Sequence, residues 1–204
     1  QWCRGDKRVM AHLDMIIELT AQSLVDSDKQ ASASDWAAIR SESSVLPAIT
    51  CMAKRGKGLQ EDIAKIAPKY DTVIIDCGGQ DSIELRQALL IADIVVVPSR
   101  ASQFDSWALE TMDTLIRMAR GFNPNLKSLV ISNCASTNPL VSEDAELRSA
   151  VDSYPDLAMC NSKICDRISF RKSIKEGLAI TEVSDKDEKA IFELRELYKE
   201  IYRG

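Results

Sequence analysis

Two short acidic clusters in this sequence have the make-up of an ion-handling site. The first is Leu24-Val25-Asp26-Ser27-Asp28-Lys29-Gln30, where two carboxylates close a brief apolar run. The second is Val73-Ile74-Ile75-Asp76-Cys77-Gly78-Gly79-Gln80, where one aspartate ends a β-branched run and a glycine pair follows. An aspartate in that position can hold magnesium through water, and glycines just beyond it let backbone N–H groups approach a phosphate. A lone aspartate after a strand more often caps a helix or forms a turn. Two such clusters together with Gly78 and Gly79 make a more specific pattern. Pro98-Ser99-Arg100 and Asn133 close two further apolar runs and complete the polar inventory.

The elements that must position these groups can be read from hydrophobic periodicity. Continuous apolar runs at 23–26, 72–76, 93–98 and 128–132, and a weaker one at 178–183, read as strands covered on both faces. Between them lie helical stripes. Leu59, Ile63 and Ile66 share one face; Ile83, Leu85, Ala88, Leu89 and Ala92 share another. Trp107, Met112, Leu115, Ile116 and Ala119 recur until Gly121, and Ile191, Leu194, Leu197 and Ile201 form a last stripe opposite charged residues. All of these stripes are expected to be core. Strand and helix in alternation predict an α/β fold, a doubly wound and mostly parallel sheet flanked by helices. One domain spanning 1–204 is expected, with an atypical stretch at 1–21. In such a sheet ligands bind beyond the carboxyl ends of the strands, where both acidic clusters fall.

Composition narrows the function classes. The 204 residues are 45% hydrophobic and 28% charged, with a net charge of −5. A disordered chain and a generally basic nucleic-acid binder are excluded, although a local basic patch is not. No apolar stretch is long enough for a membrane span and no leader pattern opens the chain, so the expected location is cytoplasmic. Six scattered cysteines and one histidine, His12, give no zinc spacing and read as reduced, buried thiols.

Four segments, in order, carry a family resemblance. Val25-Asp26-Ser27-Asp28-Lys29-Gln30 with Ser32 and Trp36 resembles the segment after the second strand of ParA/MinD-type partition ATPases. Tyr70-Asp71-Thr72-Val73-Ile74-Ile75-Asp76 resembles their Walker B strand. Ala92-Asp93-Ile94-Val95-Val96-Val97-Pro98 followed by Asp105-Ser106-Trp107-Ala108-Leu109, and Arg167-Ile168-Ser169-Phe170 followed by Glu176-Gly177-Leu178, are similar to two later elements. The resemblance implies a P-loop fold of the deviant Walker A class, in which a homodimer sandwiches ATP and Mg2+. It implies that Asp76 acts on magnesium through water, that Asp26 supports the magnesium shell, and that Asp28 orients the attacking water. Asn133 would lie near the adenine, and Gly78 and Gly79 stand where the family commonly has prolines. Non-specific DNA and a ParB-like adaptor are the implied partners, with nucleoid association.

The front of the chain departs from that pattern. The family opens with an apolar strand and a glycine-rich loop whose backbone cradles phosphates, whereas this chain opens Gln1-Trp2-Cys3-Arg4-Gly5-Asp6-Lys7-Arg8-Val9. Gly5 and Lys7 are the only remnants of a phosphate loop. The expectation is that the first strand is missing, that Val9–Leu19 is the helix which normally follows the loop, and that the chain is altered or incomplete at its start.

Arg167, Arg171 and Lys175 fall at i, i+4 and i+8, with Lys172 beside them, on one side of a helix beginning near Ser169. By composition this is a solvated, salt-bridged face; the resemblance makes it a candidate for DNA phosphates. Lys54-Arg55-Gly56-Lys57-Gly58 reads as a basic, mobile surface loop. The leading expectation is therefore a ParA-like ATPase for partition or positioning. The alternative is a non-catalytic scaffold of the same fold, and a metabolic P-loop ligase ranks last.

Overall fold

The computed structural model describes residues 7–10, 22–45, 47–100, 106–138 and 140–203. Its strands are β1 (Lys7–Met10), β2 (Gln22–Asp26), β3 (Thr50–Ala53), β4 (Thr72–Asp76), β5 (Ile94–Arg100), β6 (Lys127–Ala135) and β7 (Met159–Cys165). The helices are α1 (Ser32–Glu42), α2 (Leu59–Ile66), α3 (Ile83–Leu89), α4 (Ser106–Arg120), α5 (Glu143–Val151), α6 (Ile168–Lys175) and α7 (Glu188–Arg203). The strands form one seven-stranded sheet in the order β3-β2-β4-β1-β5-β6-β7. Every pairing is parallel.

The pleat sends alternate side chains to opposite faces, and each face has its own core. On one, Leu24, Ile74 and Ile131 pack with Trp36 of α1 and with Ile191, Leu194, Leu197 and Ile201 of α7. On the other, Val25, Val73, Ile75 and Val95 pack with Ile63, Leu85 and Ile116 of α2, α3 and α4. The expected doubly wound sheet is what the chain forms.

Four expectations are corrected. The central strand is present: Lys7–Met10 pairs with β4 through Lys7–Thr72, Arg8–Val73 and Val9–Ile74, and with β5 through Val9–Ile94 and Met10–Val95. The predicted helix at Val9–Leu19 therefore does not begin at Val9, and its remainder lies outside the described residues. Residues 178–183 form a turn, not a strand: Glu182 N–H donates to the Ala179 carbonyl at 3.0 Å, and Ala179 N–H donates to the Glu182 carboxylate at 2.8 Å. Trp107 belongs to no core; it stands on the outer side of α4, 78% exposed.

The edge strand β7 is guarded by α7. Glu200 accepts hydrogen bonds from the backbone N–H groups of Asn161 (2.7 Å) and Ser162 (2.9 Å). Glu193 accepts one from Cys165 N–H (3.0 Å). These carboxylates occupy donors that an open edge would offer to another strand.

The two ends of the fold are joined by one buried pair. The guanidinium of Arg40 on α1 donates to both carboxylate oxygens of Glu182 at 2.7 Å. It also donates to the carbonyls of Gly177 (3.1 Å) and Pro47 (3.2 Å), and it lies 5.6 Å from the Trp36 ring centroid. Gly177 has φ +66°, and a Cβ there would meet the Arg40 backbone nitrogen at 2.5 Å, so only glycine fits. Burial alone would raise the pKa of Glu182; Arg40 and the Ala179 N–H overcome it and hold it below the usual range. The Arg40 side chain is only 2% exposed, so removing its partner strands a buried charge. Glu182→Ala should lower the unfolding free energy by about 3–5 kcal/mol, measured by urea denaturation at neutral pH.

Candidate functional site

The carboxyl ends of adjacent strands bring both acidic clusters together. Asp26 and Asp76 are register partners at the ends of β2 and β4, and Ser27 N–H donates to the Asp76 carbonyl at 2.8 Å. Asp26 is fully buried. One of its carboxylate oxygens accepts the Asp28 N–H at 3.1 Å and the other accepts the Ser34 N–H at 2.8 Å.

Ser34 lies in the first turn of α1, whose N-cap is Ala31 in a left-handed conformation with no side chain to offer. Asp26 thus caps α1 from the end of β2, placing a negative charge at the positive end of the helix. The same bond set carries the chain around to Asp28.

Asp28 leans over the second cluster. A Cβ built on Gly78 would lie 3.0 Å from the Asp28 carboxylate, so the close approach depends on glycine at that position. Gln30 N–H donates to the same carboxylate at 3.3 Å. Ser27, Asp28, Lys29, Gln30, the segment Gly78–Ser82 and Glu84 line a cleft of about 320 Å³ between the β2–α1 and β4–α3 loops. A second cleft of about 310 Å³ lies on the β5 side, lined by Cys77, Gly78, Gly79, Pro98, Arg100 and Met112 among others. Gly78 and Gly79 are the wall between the two.

Three carboxylates in this setting repel one another. Burial, and then the charges of Asp26 and Asp28, push the Asp76 carboxyl up to about 7. Burial and then Asp76 push the neighbouring Cys77 thiol up to about 12, which leaves it inert, as expected for the cysteines. Among the described residues no three His, Cys, Asp or Glu side chains converge on a metal geometry.

The other sequence candidates are placed as follows. Asn133 lies two residues before the end of β6, in register with Arg100 at the end of β5. Lys7 opens β1 opposite Thr72, at the amino edge. A strand of this length puts its backbone roughly 13 Å from the Asp76 level. Gly5 lies outside the described residues. Arg167 is engaged in a two-pronged pair with Glu193, at 2.6 Å and 3.1 Å. Arg171 is exposed and pairs with Asp166 at 2.8 Å. Lys172 and Lys175 are exposed on α6.

Sequence reasoning missed Glu84 and Gln87. Gly56 N–H, at 2.6 Å, holds the Glu84 carboxylate below the usual range. Gln87 accepts from Gly58 and Leu59 N–H, both at 3.1 Å, and so caps α2 from α3. The basic loop at 54–58 is pinned to α3 by these bonds, contrary to the expectation of a mobile loop. Ser82, three residues before Leu85, was the readable signal for the start of α3: its hydroxyl accepts the Leu85 N–H at 3.1 Å.

The parallel, doubly wound sheet flanked by helices is the fold class that the resemblance implied. A family model described as an AAA domain matches residues 15–130, more than half of the chain. The chain belongs to that family, in its ParA/MinD type. The maintenance of carboxysome distribution protein A of Halothiobacillus neapolitanus is 21% identical, over 87% of this chain and 81% of its own. The structure of apo McdA from Cyanothece superposes with a TM-score of 0.73 at 11% identity, covering 96% of this chain and 99% of that one. A plasmid partition protein of Borrelia burgdorferi B31 bound to AMPPNP superposes with a TM-score of 0.68 at 17% identity, covering 98% and 99%. ParA/MinD relatives of this chain are thus partition or positioning proteins.

In the ParA/MinD fold of this chain the raised Asp76 has a measurable signature. An unfolded Asp titrates near 4, whereas Asp76 in the folded chain titrates at about 7. Between those values the native state keeps a proton that the unfolded state has lost, so stability falls as pH rises from about 4 to 7 and stays lower above. Asp76→Asn should exceed the parent by about 1–3 kcal/mol at pH 8 and match it at pH 4, in metal-free urea titrations at both pH values.

Proposed function

We propose that this chain is a ParA-like partition or positioning protein whose dimeric, DNA-bound state is governed by ATP and Mg2+ at the carboxyl edge of β2 and β4. The observation that supports this reading is the placement of Asp26 and Asp76 at the ends of the adjacent parallel strands β2 and β4, beside the central β1, with Asp28 on the loop after β2. The acids fit the magnesium end of such a nucleotide. Asp76 would hold the ion through water, and its excess negative surroundings would be relieved by a divalent charge. Asp26 keeps the β2–α1 loop in place. Asp28, poised over Gly78, would orient a water for attack. Bound magnesium-ATP supplies the phosphoryl group and neutralises its charge.

The family's adaptor-type partner would then act on the loops that carry Asp28 and Gly78. On α6, Lys172 and Lys175 have no ion-pair partner among the described residues and, with Arg171, would meet DNA phosphates. Arg167, spent on Glu193, would position α6 rather than touch DNA. The proposed setting is the cytoplasm, on the nucleoid; among the described residues no helix is long and apolar enough to cross a membrane.

A second reading has its own observation. The connection between β1 and β2, residues 11–21, contains no glycine, so the backbone cradle for phosphates is not written there. On this reading the chain is a scaffold of the same fold without a nucleotide grip. Titration of a fluorescent ATP analogue with magnesium separates the two. Magnesium-dependent binding supports the first, with Asp28→Ala keeping the affinity and slowing turnover by about 10²-fold or more. A folded chain that binds nothing supports the scaffold.

A further inference from the structure

One polar group among the site's acids has no task in the fold. Ser27 stands between Asp26 and Asp28 and is only 5% exposed, and its hydroxyl has no hydrogen-bond partner among the described residues. A buried hydroxyl without a partner weakens the fold that holds it. Its direction follows from the strand. Leu24 and Asp26 face α1, whereas Val25 belongs to the core under α2 and α3. Ser27 N–H donates to the Asp76 carbonyl at 2.8 Å, so the strand geometry of β2 runs on through this residue. The pleat then turns Ser27 to the Val25 side, where it lines the cleft of about 320 Å³ with Asp28, Gly78 and Gly79.

The surroundings select what could complete that hydroxyl. The carboxylates of Asp26, Asp28 and Asp76 crowd this end of the sheet and would repel an anion placed against Ser27. A hydrated divalent cation meets no such barrier. Its charge suits the carboxylates, and its bound waters are donors that a hydroxyl oxygen accepts. Magnesium keeps several of its waters when a protein binds it. Ser27 is tied through its own N–H to Asp76, so its hydroxyl and the Asp76 carboxylate share one backbone frame. Ser23 offers the contrast. It lies on the same side of β2, is 1% exposed and also has an unpartnered hydroxyl. It sits four residues back, roughly 13 Å along the strand, and lines neither of the two clefts that meet at Gly78 and Gly79.

We infer, resting on the magnesium-ATP reading of this site, that Ser27 is a positioning residue for the metal: its hydroxyl accepts a hydrogen bond from a magnesium-bound water and so orders the shell that Asp76 would hold. Removing such an outer partner typically weakens metal binding about 10- to 100-fold. The same hydroxyl is a burden to the chain without ligand. One substitution therefore acts with opposite signs on the two states.

Ser27→Ala and Ser23→Ala, each made in the full chain, separate the metal role from burial alone. Without ligand, both variants should melt about 2–4 °C above the parent, because each loses an unpaired buried hydroxyl. Magnesium is then titrated into each chain in the presence of AMPPNP, with binding read by calorimetry and by the melting temperature. Ser27→Ala should need about tenfold more magnesium for half-maximal binding. Ser23→Ala should match the parent, and in EDTA all three chains should bind the analogue alike. A Ser27→Ala chain with the parent's magnesium requirement, or one that melts below the parent without ligand, would overturn the inference and leave the nucleotide reading standing. A parent chain that binds no AMPPNP at any magnesium concentration would overturn both.

Discussion

The carboxylate of Asp26 organises the site end of this molecule. It is fully buried, yet each oxygen is satisfied by a backbone N–H, one from the loop and one from the first turn of α1. A buried charge is tolerable only with such partners, and the positive end of a helix is among the better ones. Because α1 starts where Asp26 caps it, the intervening residues have few choices of path. Ala31 adopts φ 58° to complete that path, a conformation non-glycine residues seldom take. Asp28 is thereby carried to the glycine pair after β4. The position of Asp28 is inherited from the capping duty of Asp26.

That arrangement assigns different tasks to acids that look alike in the sequence. Asp26 is spent on structure, Asp28 is free to lean over the cleft, and Asp76 absorbs the electrostatic cost of both. Crowding of these acids raises the Asp76 carboxyl before any ligand arrives. Gly78 and Gly79 form a thin wall between two clefts, so a shift of the β4–α3 loop is felt on both sides. The same loop leads into α3, whose Glu84 and Gln87 grip the 54–58 loop. A displacement after β4 would be passed along a continuous line of hydrogen bonds to the far edge of the sheet.

Much of this was legible in the sequence, for physical reasons. Ile74, Ile75, Val95 and Val96 are buried on both sides of the sheet, so their strands read as unbroken apolar runs. The edge strands did not. β3 and β7 need only one covered flank, and Met159-Cys160-Asn161-Ser162-Lys163-Ile164-Cys165 mixes polar and apolar residues without a clear period. β1 was lost for another reason: four residues, Lys-Arg-Val-Met, are too few to show a strand pattern, and only the slot between β4 and β5 defines them. At the site, the residue types of Asp26, Asp28, Asp76 and the glycines marked the place, while their division of labour depends on contacts eight or more residues apart. The basic face of α6 read as four equivalent cations. Pairing with Glu193 across 26 residues removes Arg167 from that set, and local spacing carries no trace of it.

The pair that clamps Arg40 to Glu182 joins residues 142 positions apart. During synthesis the helix carrying Arg40 leaves the ribosome long before its partner is made. At about 5–20 residues per second the delay is roughly 10–30 s. Through that interval the guanidinium has no carboxylate to accompany it into the core, and α1 cannot seat itself on the sheet without burying an unmatched charge. The face of the sheet that also awaits α7 must stay open until the last helix is translated. A nascent chain of this protein is therefore held back from closing that core until α7 has been made, and a cell making it must keep that exposed surface from meeting others in the meantime.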